Sequence, residues 1–304
     1  MSKFPVFGAT AWLTACLFPA PVTAQSRQDT DPLDRDIVAV GAGLAVVPDY
    51  EGSDHYRPVV APAAIESVKG HSFVVAGNQA SLNLLRDRPG PVWQVQVGPF
   101  AQINFNRSAM GAIHDPRVRA LGALGLAVEM GGYVGVQKTG VVTSPYDKLA
   151  MALSYRHDVS GVHEAGVWQP SLTYFTPLSL HAAVAFTASA DIAEDRYART
   201  YYSISPAGSI RSGLPVYDAK GGLKSWTIGL IGVRTVRGNL LHGVQLVALG
   251  TYGGMTGSIG DSPIVAQAGS RGQRLGALGL AYSFQSAVVS AVTFGDGAGR
   301  HSVA

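Results

Sequence analysis

Residues 92–105 repeat every second position: Trp93, Val95, Val97, Ala101, Ile103 and Phe105 alternate with Gln94, Gln96, Gly98, Gln102 and Asn104. An α-helix repeats every 3.6 residues, so this segment is a strand with one apolar, aromatic face and one amide-rich face. Lipid on one side and a polar lumen on the other require this division, and so does a half-buried soluble sheet. The alternation recurs in 148–157 (Leu149, Met151, Leu153, Tyr155), in 178–190 (Leu180, Val184, Phe186) and in 275–284 (Leu278, Leu280, Tyr282, Phe284). Weaker segments at 37–47, 58–68, 71–85, 120–136, 165–176, 198–205, 219–236 and 241–252 bring the expectation to about twelve strands. Most have the length that a tilted strand needs to cross a bilayer, roughly 9–11 residues or slightly more.

Composition decides which classes of protein survive. Only 14% of residues are charged although 47% are hydrophobic, against ~25% charged in a soluble domain. That excludes a disordered chain, and a net charge of +3 leaves no basic stripe for nucleic acid. Cys16 is the single cysteine, so no disulfide scaffold exists. Beyond residue 24 no apolar run approaches the roughly 18 residues of a membrane helix. An apolar chain without helical spans leaves an all-β transmembrane antiparallel barrel, in which alternation dilutes the apolar residues and glycine permits bends, with an unusual soluble β protein as the other reading.

The N-terminus points the same way. Lys3, an apolar run over 4–18, Pro19, Pro21 and Val22-Thr23-Ala24 form a secretory signal with cleavage after Ala24. Leu13-Thr14-Ala15-Cys16 also fits a lipoprotein cleavage box in which Cys16 is acylated. The expected organisation is a signal peptide at 1–24, a periplasmic segment at 25–36, the barrel at 37–284 and a tail at 285–304. Single-chain barrels have an even number of strands, and the short segment 198–205 is needed to make the number even. The loops 49–57, 206–217 and 253–272 then fall outside the cell, with turns at Lys69-Gly70 and Arg237-Gly238-Asn239 inside. The segment 107–119 becomes an awkwardly long periplasmic loop. Trp93, Tyr133, Tyr155, Trp168, Trp226 and Tyr282 are placed in interfacial girdles.

Several motifs suggest chemistry. Gly260-Asp261-Ser262 has the look of a serine hydrolase start, but the nucleophile would need a later Asp-x-x-His, and only Asp296 and His301 are on offer at another spacing. His55, His114, His157 and His163 form no Ser-His pair at strand spacing. Asp49, Glu51, Asp54 and His55 lie close enough in sequence to hold a hard cation, yet without the glycine-anchored spacing of a calcium loop. Arg107, Arg117 and Arg119 form a small basic patch, read as solvated charge with lipopolysaccharide or peptidoglycan as the alternative partner. Gly41-Ala42-Gly43 lacks the third glycine and the helix of a dinucleotide site, so it is strand glycine. The reading is therefore of no enzyme and of no catalytic, cofactor or metal residues.

Ordered blocks along the chain resemble one family. Val46-Val47-Pro48-Asp49-Tyr50-Glu51-Gly52-Ser53 is similar to the "aPDYeGS" signature of the MipA/OmpV outer-membrane proteins. Asn83-Leu84-Leu85, Tyr201-Tyr202-Ser203-Ile204-Ser205, Ser212-Gly213-Leu214-Pro215-Val216-Tyr217-Asp218 and Gly222-Leu223-Lys224 follow in order. Gly260-Asp261-Ser262-Pro263-Ile264-Val265 and a final Leu280-Ala281-Tyr282-Ser283-Phe284 complete a resemblance spanning 38–284. It implies an outer-membrane barrel in a Gram-negative envelope. One member links a murein lytic transglycosylase to a murein synthase, so the resemblance implies a non-catalytic scaffold in contact with outer-membrane lipid. A small passive pore, a surface adhesin and, more remotely, a lipid-modifying enzyme are the alternatives. Barrels commonly close on a terminal aromatic residue. Phe284 suits that place, yet twenty residues follow it.

Overall fold

The computed structural model describes residues 36–68, 71–86 and 91–286. The signal peptide, the 25–35 segment, the Lys69-Gly70 turn and the tail from 287, with Asp296 and His301, lie outside these residues. Twelve antiparallel strands close into a barrel, each pairing with its neighbours in sequence. They are β1 (Asp36–Pro48), β2 (Tyr56–Val68), β3 (His71–Ala76), β4 (Gln79–Leu82), β5 (Trp93–Asn104) and β6 (Ala127–Thr139), followed by β7 (Lys148–Asp158), β8 (Gly166–Ser179), β9 (Ala182–Ala193), β10 (Gly222–Gly238), β11 (Gly243–Met255) and β12 (Gly272–Ser286). β12 closes on β1 in unbroken register from Asp36↔Ser286 to Val46↔Gly276.

The expected number is right, but two of its parts are not. Segment 71–85 is two short strands folded at Gly77-Asn78, where Gly77 takes a positive φ of 58° and the Asn78 side chain donates to the Ile103 carbonyl at 2.7 Å. Segment 198–205 is no strand: α2 (Asp195–Tyr202) buries Tyr197, Ala198, Tyr201 and Tyr202 on one face. The extra strand at 79–82 and the missing one at 198–205 leave the sum unchanged and reverse the direction of everything between them. Loop 105–126 therefore lies at the same end as 49–55, 159–165, 194–221 and 256–271, and the awkward periplasmic loop disappears. The connections 140–147, 180–181 and 239–242 occupy the opposite, turn end. Two boundaries also move. β9 starts at Ala182, leaving Leu178 in β8 and Leu180 at the turn, and β6 starts at Ala127, after α1 (Pro116–Ala120).

In β5, Trp93, Val95, Val97 and Ile103 are exposed on the outer face, while Gln94, Gln96, Gln102 and Asn104 are buried within. Leu44, Val60, Met130, Val134, Leu153, Leu230, Leu246 and Leu280 continue the outer apolar face around the wall. An apolar surface of this extent is incompatible with water, which removes the soluble-sheet alternative. No described helix is long and apolar enough to cross a membrane. Tyr155 packs on Trp168 (ring centroids 4.7 Å apart) and Trp226 on Tyr252 (5.7 Å) near the loop end; Trp93, Tyr282 and Phe284 lie near the turn end. Tyr133 departs from the girdle expectation, because it shares the inner face of β6 with Glu129 and Gln137 and pairs with Gly98 and Ser154.

The inner wall is less uniform than the pattern of β5 suggests. From β5 to β9 it carries Gln96, Gln102, Glu129, Gln137, Arg156, Gln169 and Asp191, all buried. From β10 through β12 to β1 and β2 it carries Ile231, Val233, Val247, Leu249, Leu275, Ala277, Ala45, Val47, Val59 and Ala61. The lumen thus has one polar and one apolar half.

Candidate functional site

The loop end is filled by a folded cap in which three signature segments far apart in sequence meet, with loop 105–126 packed among them. In 48–53, the Tyr50 hydroxyl lies 2.6 Å from the Ala268 carbonyl and 3.2 Å from that of Ile264. Its ring packs with Ile113, Val118, Ile204, Leu214, Ile264 and Ala268. Burial, reinforced by Asp115, raises the Tyr50 phenol well above its ordinary value, so it acts as a neutral donor. Gly52 holds a φ of +97°, and a Cβ there would come within 2.6 Å of the Val265 side chain, so only glycine serves. Asp49 accepts from the His114 amide (3.0 Å) and pairs with its ring (2.7 Å). Ser53 caps the turn by accepting from the His55 amide at 3.0 Å.

The second segment supplies α2 and α3 (Pro206–Ser212). Ser205 caps the start of α3 and Gly213, in the left-handed conformation, ends it, which drops Leu214 into the Tyr50 cluster. The Tyr217 hydroxyl donates to the Ser258 carbonyl at 2.7 Å, whereas Pro215 faces outward. In the third segment, Ser262 is fully buried and its hydroxyl donates to the Tyr202 carbonyl at 2.6 Å. That hydroxyl pins α2 to the 256–271 loop and has no histidine beside it among the described hydrogen bonds. Asp261 pairs with Arg271 on the surface, and Pro263 starts a one-turn helix, Pro263–Ala266.

Beneath the cap, charged side chains link strand to strand. Glu51 turns inward, accepting from Tyr202 (2.8 Å) and Tyr197 (3.1 Å) and facing the Lys224 ammonium at 3.3 Å. Lys224 reaches Asp191 at 3.3 Å, Asp191 lies 3.6 Å from Arg156, Arg156 donates to Glu129 at 2.7 Å, and Glu129 meets His163 at 3.2 Å. Asn104 and Gln169 donate to Glu129 and Asp191, both at 2.8 Å. A register shift between Leu223 and Ser225 puts Lys224 inside, although Trp226, two residues on, faces out. Burial raises the Glu51 carboxyl above its ordinary value, and Lys224 and Tyr202 offset this only in part.

Asp49, Glu51, Asp54 and His55, close together in sequence, diverge in the structure. Glu51 goes to Lys224, Asp49 to His114, and Asp54 pairs with His55 on the surface. Among the described residues no group of three or more such ligands could hold a metal. The basic patch also dissolves. Arg107 is buried and donates to the carbonyls of Tyr201 and Gly122 at 3.0 and 3.1 Å, its value lowered to about 10 by burial, while Arg117 pairs with Asp115. Glu129, Arg156, Asp191 and Tyr197 were not singled out from sequence, and His163 was weighed only as a partner for a serine. For Glu129, Arg156 and Asp191 the signal was a charge at an inward position near the loop end of β6, β7 and β9.

A model of the family described as MltA-interacting protein MipA matches residues 40–284. Among solved structures, the chain is similar to the outer membrane channel DcaP of Acinetobacter baumannii, at 11% identity over 82% of this chain and 96% of that one, TM-score 0.36. It is also similar to the Pseudomonas putida toluene transporter TodX (10% identity, 82% and 89% covered, TM-score 0.34) and to a Pseudomonas aeruginosa FadL homologue (9%, 82% and 89%, 0.30). No curated protein matches the chain in sequence.

Proposed function

The chain belongs to the MltA-interacting protein MipA family, and from that premise we propose that this outer-membrane barrel is a non-catalytic scaffold for murein-remodelling enzymes. The observation that carries this reading is the family match itself, which spans the whole wall and all three cap segments. The cap adds physical support. Its side chains are consumed by one another: Tyr50 by backbone carbonyls, Ser262 by Tyr202, Glu51 by Lys224. Signature side chains spent in this way build a firm end, which supports a structural role for the cap. In bacterial barrels the short turns face the periplasm, where murein lies. Leu84, Val142, Leu180 and Val236 are each more than half exposed toward that end and offer apolar anchors to a partner.

The test is affinity capture of the tagged full-length protein from gently solubilised envelopes. A murein lytic transglycosylase and a murein synthase are expected to enrich, with at least a tenfold loss when Val142 and Leu180 are both replaced by aspartate. Failure to enrich any murein enzyme under conditions that preserve known envelope complexes would overturn the scaffold reading. A filled loop end also separates a scaffold from a passive pore. Refolded protein in planar bilayers is expected to give no steady conductance, and reproducible single-channel steps would favour the pore instead.

A further inference from the structure

The apolar half of the lumen holds a cavity of about 160 Å³ toward the turn end of the barrel, lined by β1, β2, β10, β11 and β12. We infer that it is a binding site for a small, uncharged, apolar molecule about the size of one aromatic ring. This inference does not depend on the scaffold role.

The lining carries the argument. On β12, β1 and β2 the inward positions are small: Ala277, Gly279 and Ala281, then Ala39, Gly41 and Gly43, then Ala61 and Ala63. Opposite them stand branched side chains, Ile231, Val233, Val247 and Leu249. A barrel that needed only to fill its own interior would place bulk on both sides. Apart from Ile65 on β2, the inward lining residues of these three adjacent strands are held small. The glycines cannot be enlarged to fill the space, because a Cβ on Gly41 would stand 2.6 Å from the Leu280 carbonyl oxygen and one on Gly43 2.6 Å from that of Leu278.

Water is a poor occupant. The wall's backbone groups are committed to the β1–β12 and β1–β2 ladders. Gln245 is the one polar side chain in the lining, and its amide donates to the Leu240 carbonyl at 2.7 Å and to Ser283 at 2.9 Å. A buried water needs two to four polar partners, whereas an aliphatic cavity of roughly 150 Å³ stays dry and takes up benzene. No charged side chain lines the space, which excludes ionic ligands. The cap closes the loop end, and the layer containing Leu249, Leu275 and Ile231 lies between cap and cavity, so entry is from the turn end. The geometry describes a blind pocket and not a passage.

Crystals of the refolded full chain soaked in bromobenzene test the inference through the bromine anomalous signal. The expected result is one bromine site within contact of Ala63, Val247 and Ala281, lost in Ala63→Phe and Ala281→Phe. It is expected to persist in Ala248→Phe, the same change on the outward face of β11 and outside the lining. Heat-dependent gel mobility shows whether each variant is folded; should both filling variants misfold, xenon pressurisation of wild-type crystals reads the same cavity. Absence of bromine and xenon from the wild-type cavity would overturn the inference, as would unchanged bromine occupancy in a folded filling variant.

Discussion

Replacing Lys224 with methionine is expected to release the cap and to lower stability in urea by about 3–5 kcal/mol, the usual cost of breaking a buried ion pair by removing one partner. Lys224 has no exposed surface and stands between Glu51 and Asp191, 3.3 Å from each, with its ammonium 4.9 Å from the centre of the Tyr197 ring. Methionine fills a similar volume, so the effect isolates charge from packing. Two carboxylates are then left without their shared cation in a region closed to water. The first consequence is local, because Glu51 belongs to the 48–53 segment and holds α2 through Tyr197 and Tyr202. Trypsin is expected to cut K224M at Arg196, Arg199 or Arg211 at least tenfold faster than wild type while the barrel keeps its heat-dependent gel mobility. An unchanged urea midpoint together with unchanged cleavage would show that the network does not hold the cap. E51Q is expected to cost less, since its amide still meets both tyrosines, and adding it to K224M is expected to recover part of the loss.

Glu51 also gives the cap a pH dependence of definite sign. Its folded carboxyl binds a proton more tightly than the free side chain, chiefly through burial. A proton held more tightly in the folded state stabilises that state wherever it is bound, and this stabilisation fades as pH rises from the ordinary glutamate value through the folded one. Cap amides of the wild type are therefore expected to exchange more slowly, after correction for intrinsic rates, as pH falls through that window. E51Q has no such proton and is expected to lose this part of the slope. An equal slope in both proteins would assign the effect to other groups.

The wall was legible in the sequence because each strand's alternation reports its own two environments. Gln94 and Trp93 need no knowledge of β12 to be sorted inside and outside. Segment 198–205 misled for a related reason: tyrosine and threonine favour strands, and eight residues are too few for propensity to compete with burial. The signal for a helix was nevertheless present, since Tyr197, Ala198, Tyr201 and Tyr202 recur at the spacing of one helical face. The cap was less accessible. Its signature blocks could be recognised singly, but Glu51 meets Lys224 across 173 residues and Tyr50 meets Ala268 across 218. Alternation contains nothing about which inward charge faces which. The divided lumen escaped for a similar reason, because β5, the clearest strand, lies wholly in the polar half.

The second large effect is expected from a single methyl group. A Cβ at Gly269 would stand 1.8 Å from the Gly52 carbonyl oxygen and 3.1 Å from the Tyr50 hydroxyl. Neither neighbour is free to move aside: Ser270 donates its amide to that same Gly52 carbonyl at 2.8 Å, and Tyr50 donates to Ala268 at 2.6 Å. Gly269→Ala must therefore separate the 48–53 segment from the 256–271 loop, breaking both contacts and exposing the cluster around Tyr50 and Ile264. Overpacking typically costs about 1–3 kcal/mol, and a buried acceptor left without its donor adds about 1–3 more. Tyr50→Phe removes only the hydroxyl and is expected to show the second contribution alone. Gly111→Ala is the control, because a Cβ there meets nothing within 4 Å. Amide exchange over 48–53 and 262–270 is expected to rise by two orders of magnitude in G269A, by less in Y50F and hardly at all in G111A, with the strands of the wall unchanged in all three. Equal exchange in G269A and G111A would mean that the two segments are not clasped, and the three signature blocks would lose their common structural purpose.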